Sequence, residues 1–311
     1  MKKILIFLKK YNLFELCKNS IKSRYFIRLV LSIPLLGTSR KGLELIRLIS
    51  QFKLNSYLKV KYDKIINKEE CINDDVKNSN FIWFCWLQGI ENAPKLVQTC
   101  FSAIEKISGW QVILITKDNY IDYTDIPKYI IEKWSQGKIS NTHFSDILRL
   151  DLLVRNGGLW IDSTVYFTGD LIPEFISSSE LFLFQNLKPG YNGHTFRVSS
   201  WFIFSKTNNK ILSKTRELIF EYWKHNSTLI DYFLVHHFLS ISMERYKDLA
   251  NRIPKFPNSI PHILLLQMFE PFDLNNFNYL KSISSFHKLN YKRSKEQFDL
   301  KDTYYEYIIK T

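Results

Sequence analysis

Asp146, Arg149 and Asp162 stand inside one run, SDILRLDLLVRNGGLWIDST (145–164). Asp146 and Arg149 are three positions apart, so on a helix they share one face. A guanidinium on such a face can pair with phosphate oxygens, and a carboxylate beside it can accept hydrogen bonds from sugar hydroxyls. Asp162 closes the apolar run LWI, and Thr164 follows two places on. One carboxylate and one neutral hydroxyl make a weak ligand pair for a hard cation. An acid and an arginine on a helix, with an acid on a strand, can surround a sugar diphosphate. The same residues also suit a plain helix ion pair followed by a helix-to-strand turn.

These side chains need elements to place them. The periodicity predicts a helix over 144–158, with Gly157 and Gly158 allowing a tight turn, and a strand over 159–167. Upstream, FIWFCWL (81–87) and WQVILIT (110–116) read as buried strands. A helix opens on Pro94, and another ends near Gly137. Strands alternating with helices define an α/β fold with a mostly parallel central sheet. In such sheets ligands bind beyond the carboxyl ends of the strands. Asp162 lies at such an end, on the same side as the helix start.

The chain has 311 residues and 45% hydrophobic content, a globular composition with room for one large core and an appendage. Its net charge is +13. Up to Tyr62 there are 14 Lys and Arg against two acids, Glu15 and Glu44, which leaves the remainder near neutrality. A basic helical arm (1–66) and a catalytic body (67–311) are therefore expected, the join being the polar, acidic stretch 67–80. The arm's charge is not spread over a binding domain, and no nucleic-acid motif accompanies it, so nucleic acid is not expected as a partner. ILIFL, near the start, is too short for a signal peptide. The stretch 25–37 is interrupted by Arg28 and Pro34 and falls short of a spanning helix. Basic residues among Leu, Ile and Phe suit a helix lying on an anionic leaflet, or one docked on its own domain or on a partner. Cys17, Cys71, Cys85 and Cys100 form no zinc spacing and read as thiols of a reducing compartment.

The central run resembles the SDxxRxxxLxxxGGxWxD signature of glycosyltransferases with the glycosyltransferase-A fold, a Rossmann-like α/β fold. More narrowly it resembles the bacterial capsular polysaccharide synthesis glycosyltransferases, related to retaining mannosyl- and galactosyltransferases. IWFCWLQGIENAPKLVQTC (82–100), SSWFIFSK (199–206), IDYFLVHHF (230–238) and HKLNYK (287–292) are similar to further blocks of that family. The resemblance implies roles. Trp86, Gln88 and Gly89 match a first loop that holds uracil and ribose. Asp146 and Arg149 match the pair that grips donor sugar and phosphates, beside Gly157 and Gly158. Asp162 matches the first acid of a two-acid (DXD) metal motif whose second place is here Thr164, and His287 resembles a late histidine that completes the metal or diphosphate site. Asp231 resembles a carboxylate facing the reacting sugar, and Trp201 can line the acceptor site.

The implied activity is retaining transfer of a hexose from a UDP-sugar to a lipid-linked oligosaccharide in capsular or surface polysaccharide synthesis. A weakened Mn²⁺ or Mg²⁺ site is the implied cofactor. The implied location is cytoplasmic, peripheral at the inner face of the cell membrane. The alternative is a catalytically silent nucleotide-sugar-binding scaffold for capsule enzymes. Individually, Trp86 and Trp201 also suit the core, Gln88 an ordinary turn, and Asp231 a helix cap. His236 and His237 suit an apolar helix, and His287 a polar stretch.

Overall fold

The computed structural model describes residues 39–69, 76–186 and 196–310, with isolated positions 21, 31 and 34–37. About half of the expected basic arm, with Cys17, lies outside the described residues, as do Cys71 and part of the acidic linker. Among the described residues the first long helix is α1 (Arg40–Lys61), opened by Ser39, whose side chain accepts from the Gly42 N–H. It falls inside the stretch read as the arm, yet Leu54, Leu58 and Tyr62 enter the main core. Lys214, fully buried, donates its ammonium to the Ile65 carbonyl at 2.9 Å and ion-pairs with Glu217 at 2.7 Å.

The body begins with β1 (Phe81–Cys85), α2 (Lys95–Glu105) and β2 (Gln111–Ile115), followed by α3 (Lys128–Ser135) and α4 (Asn141–Asn156). Pro94 and Pro127 open α2 and α3, as their fixed φ favours. Gly157 ends α4 at φ 67°, and Gly158 follows at φ 94°, conformations that side chains with a Cβ rarely adopt. A Cβ on Gly158 would meet the Phe81 carbonyl oxygen at 2.4 Å. The glycines therefore let the helix turn directly into a strand pressed against β1.

The strand expected over 159–167 is two strands. β3 (Gly158–Ile161) ends before Asp162, and β4 (Val165–Phe167) starts after a turn closed by Val165 N–H to the Asp162 carbonyl at 3.0 Å. The remaining strands are β5 (Leu181–Gln185), β6 (Val198–Ser205) and β7 (Phe286–Lys288). The main sheet runs β2-β1-β3-β6-β5, and β4 pairs with β7 in a separate antiparallel ribbon.

The sheet is mixed rather than mostly parallel. β2, β1 and β3 are parallel, each step crossing through helices. β6 is antiparallel to both β3 and β5. Antiparallel neighbours need no helical crossover, and β3, β5 and β6 are the strands that use that freedom.

Alternating side chains send Trp83, Trp160 and Ile203 to one face of the sheet and Ile82, Phe84, Leu159, Ile161 and Phe202 to the other. The first face is covered by α1, α4, α5 (Lys210–His225) and α6 (Leu234–Arg245). A third cluster joins α2 to α7 (Ile263–Gln267), α8 (Leu274–Ile283) and α9 (Tyr304–Lys310). Among the described residues, no helix is long and apolar enough to cross a membrane.

Candidate active site

At the carboxyl ends of β1 and β3 a cavity of about 880 Å³ opens. Its floor is set by three backbones. β1 runs out into Trp86, Leu87 and Gln88. β3 ends at Asp162, whose N–H donates to the Trp201 carbonyl of β6 at 2.8 Å. The first turns of α4 form a wall with Asn141, Ser145, Asp146 and Arg149. Ser140 caps that helix by accepting from the His143 N–H.

Arg149 is the hub. Its Nη2 lies 2.9 Å from Asp162 Oδ1 and 3.2 Å from Asp146 Oδ1, and Nη1 donates to the Ser200 carbonyl. Its guanidinium also sits over the Trp160 ring, 4.8 Å from the centroid. Only 4% of the residue is exposed, and the buried Nε–H has no partner within the protein. The three residues singled out first from the sequence are thus brought together, and the Arg149–Asp146 contact is the (i, i+3) contact read from their spacing.

Asp162 receives donors on both oxygens. Trp160 Nε1–H and Arg149 reach Oδ1, the former at 3.0 Å, and Lys288 Nζ reaches Oδ2 at 3.1 Å. Burial opposes its charge, but the Lys288 ammonium, the Arg149 guanidinium and the indole N–H together hold its pKa below the ordinary value. Lys288 also donates to Thr164 Oγ1 at 2.6 Å. Lys288 was not among the residues marked from the sequence. The signal was available: FHK is a strand, adjacent residues of a strand face opposite ways, and the site faces only one of His287 and Lys288.

His287 is the other one. It is 2% exposed, its Nε2 lies 3.0 Å from Thr168 Oγ1, and it does not line the cavity. Burial pushes its imidazole pKa down to about 4. Asp162, Thr164 and His287 therefore do not converge as a donor set for Mn²⁺ or Mg²⁺. The hydroxyl and one carboxylate oxygen already accept from an ammonium, and the histidine is bonded elsewhere. Among the described residues, no group of three or more His, Cys, Asp or Glu side chains could hold a metal ion.

The other expected residues divide. Trp86 and Gln88 line the cavity, and the buried Trp86 Nε1–H has no acceptor in the protein. Trp86 meets Tyr291 edge-on at 5.9 Å. Trp201 is in the wall, stacked on Phe184 at 4.7 Å and donating to Asn258 at 2.7 Å. Gly89, at φ 83°, turns the chain just behind Gln88 without lining the cavity. Gly157 and Gly158 sit at the opposite end of β3, where the Gly157 carbonyl accepts from Trp83 Nε1–H at 2.8 Å.

Asp231 does not line the cavity either. It accepts from the Phe233 N–H at 2.8 Å, a turn ahead of α6, and stands 3.8 Å from His237 Nε2. Its neighbours Tyr232, Phe233 and His236 are the ones in the wall. Burial lowers the His236 pKa to about 4, so the ring is neutral near pH 7. Of the four cysteines, Cys85 and Cys100 are described. Both are free thiols, and burial pushes both pKa values up to about 12.

Three cations, Arg149, Lys288 and Lys292, face two carboxylates, Asp146 and Asp162, among the described residues of the wall. With Trp86 and Tyr291 beside them, the site has the chemistry of an anion-and-ring binder at the carboxyl edge of an α/β sheet. The sequence model of the family described as "Capsular polysaccharide synthesis protein" matches residues 41–308. The chain belongs to that family. This bears out the resemblance drawn from the SDILRLDLLVRNGGLWID run, and with it the enzyme class, a glycosyltransferase. Among solved structures the chain is similar to "PaToxG Glycosyltransferase", at 12% identity over 86% of this chain and 97% of that one, with a TM-score of 0.42. So distant a likeness carries no argument about the site. No curated protein matches the chain.

Proposed function

We propose that this glycosyltransferase has a glycosyltransferase-A fold and transfers a hexose, with retention, from a nucleoside diphospho-sugar, in the first place a UDP-sugar. The acceptor is a lipid-linked oligosaccharide of surface polysaccharide synthesis. The observation that carries the reading is the Arg149–Asp146–Asp162 constellation at the carboxyl ends of β1 and β3. Trp86, with its unpaired buried N–H, and Tyr291 offer faces and edges for a base and ribose. Asp146 can accept from sugar hydroxyls, and Arg149 can neutralise the departing diphosphate as negative charge grows there.

No carboxylate stands free of cations among the cavity residues described, which favours attack on the same face of the sugar over an enzymatic nucleophile. The acceptor oxygen bonds to the anomeric carbon as its bond to the diphosphate breaks, and the departing phosphate oxygen takes the acceptor's proton. Trp201 gives a flat wall for the acceptor sugar, and the basic residues before residue 39 draw the enzyme to an anionic lipid surface. Purified protein incubated with UDP-sugars decides the matter. Release of UDP, raised by an oligosaccharide acceptor with the α or β linkage of the donor kept, is expected. Donor binding without release of UDP would point instead to a catalytically silent scaffold.

A further inference from the structure

Lys288 has no place in the sequence reading, yet it occupies the position where a dication would have to sit. The antiparallel ribbon pairs Val165 with Lys288, so β7 delivers the side chain to the mouth of the turn that carries Asp162 and Thr164. Its ammonium lies 2.6 Å from the Thr164 hydroxyl and 3.1 Å from Asp162 Oδ2. The Lys288 side chain is 18% exposed, so it is held by these contacts but still faces the cavity. A dication on the same oxygens would displace one cation and stand close to another, Arg149, which is 2.9 Å from the other oxygen of the same carboxylate. Hard cations want charged or carbonyl oxygens with open lone pairs. Here the hydroxyl's lone pair and both carboxylate oxygens are already taken. Lys288 and Arg149 bracket one carboxylate and together supply the charge of one dication.

We propose that Lys288 takes the place of a divalent metal: its ammonium, placed by Asp162 and Thr164, pairs with the donor's diphosphate, so that the donor binds without metal. The inference rests on the nucleoside diphospho-sugar reading of the cavity. On donor entry the flexible stem swings the ammonium from Thr164 to a phosphate oxygen, while Asp162 keeps Arg149 and the Trp160 N–H. The roles then divide. Arg149 is fixed by its ring and backbone contacts, and Lys288 is the mobile charge.

Isothermal titration of the full chain with UDP, GDP, CDP and ADP tests this, in EDTA and in Mn²⁺, for wild type, Lys288→Ala and Lys288→Arg. Circular dichroism confirms that each variant is folded. At least one nucleoside diphosphate is expected to bind wild type in EDTA within about threefold of its affinity in Mn²⁺, against the tenfold that one charged hydrogen bond typically commands. Lys288→Ala should weaken that binding by about tenfold or more, and Lys288→Arg should recover most of it. Binding that disappears in EDTA and returns with Mn²⁺ overturns the inference and leaves the donor reading standing. Unchanged affinity in folded Lys288→Ala also overturns it. If no nucleoside diphosphate binds in either buffer, the donor reading fails and takes this inference with it.

Discussion

Arg149 reaches from the middle of α4 to Asp162 at the end of β3, a 2.9 Å contact between helix and sheet that passes over the Trp160 ring. Removing the guanidinium outright would leave two carboxylates without their shared partner, at a cost of about 3 kcal/mol in a buried setting. Arg149→Lys is the cleaner probe, because it keeps the charge and loses the fork. Its transfer rate should fall about a hundredfold, with little change in thermal midpoint. Stopped-point assays of UDP release, paired with a melting curve, read both. Wild-type turnover in Arg149→Lys would remove the phosphate role assigned to this side chain.

Thr164 marks where a second acid would have to stand. Thr164→Asp puts a carboxylate beside Asp162, but Lys288 is 2.6 Å from that position and neutralises it. The single variant should therefore stay indifferent to Mn²⁺. Thr164→Asp combined with Lys288→Ala should bind Mn²⁺ about tenfold or more tighter than either single variant, as two acidic oxygens become free. Electron paramagnetic resonance of free Mn²⁺ measures this directly. A single variant that binds as tightly as the double one would show that Lys288 does not guard the site.

Three histidines with depressed pKa values set an acid limit. Burial depresses His236 to about 4, His237 to about 3 and His287 to about 4. Unfolding restores the ordinary value near 6.5, so between about pH 4 and 6.5 the unfolded chain binds more protons than the folded one, and stability falls with pH. The stability is fully present above pH 6.5 and is lost as pH falls toward 4. Asp162 adds to the loss only lower down, below the ordinary carboxylate range. The thermal midpoint should drop by about 5 °C or more from pH 7 to pH 5. His287→Gln should flatten that slope, and a profile identical to wild type would place the acid limit elsewhere.

Trimming the basic N-terminus should separate membrane affinity from folding. A chain that begins at Asp63 loses Leu54, Leu58 and Tyr62 from the main core, each 4% exposed or less. It should be unfolded or aggregate. A chain that begins at Ser39 keeps α1 and its cap, and sheds eight Lys and Arg against one acid. It should melt as the full chain does, retain transfer to a soluble acceptor, and sediment with anionic vesicles much less. Each basic residue near such a surface is worth about 1 kcal/mol, and the difference should shrink in high salt as screening shortens. Equal sedimentation of the two chains would make the arm a docking surface for a protein.

The parallel half of the fold and the Asp146–Arg149–Asp162 cluster could be read from the chain because they are local. The run 145–162 holds a helix, a glycine turn and a strand, and its spacing alone puts the charged groups at one end. The mixed sheet could not be read so, since nothing in SSWFIFSK states which way the strand runs. The break at Asp162–Thr164 was hidden by the apolar VYF that continues the strand pattern. Its cause is the distant β7, which pairs with VYF outside the main sheet. His287 attracted the metal reading by residue type, whereas strand parity gives the site to Lys288. The resemblance set Gly157 and Gly158 beside the donor-gripping pair, but their close neighbours are the Ser205 carbonyl for Gly157 and the Phe81 carbonyl for Gly158. Asp231 was open between cap and catalyst, and it accepts from the Phe233 N–H outside the cavity wall.

The ribbon of β4 and β7 also orders events in time. Lys288 meets Asp162 across 126 positions, and closing so long a loop contributes no contact until most of the chain exists. On the ribosome, where the N-terminal part of a chain is available to fold first, α4 and β3 can dock while Asp162 has only Arg149 beside it. A chain interrupted before residue 286 would then carry a formed helix-and-strand half without its second cation. If Lys288 pairs with the donor as proposed, donor affinity waits for β7, and chains interrupted before it would bind nucleotide sugar weakly.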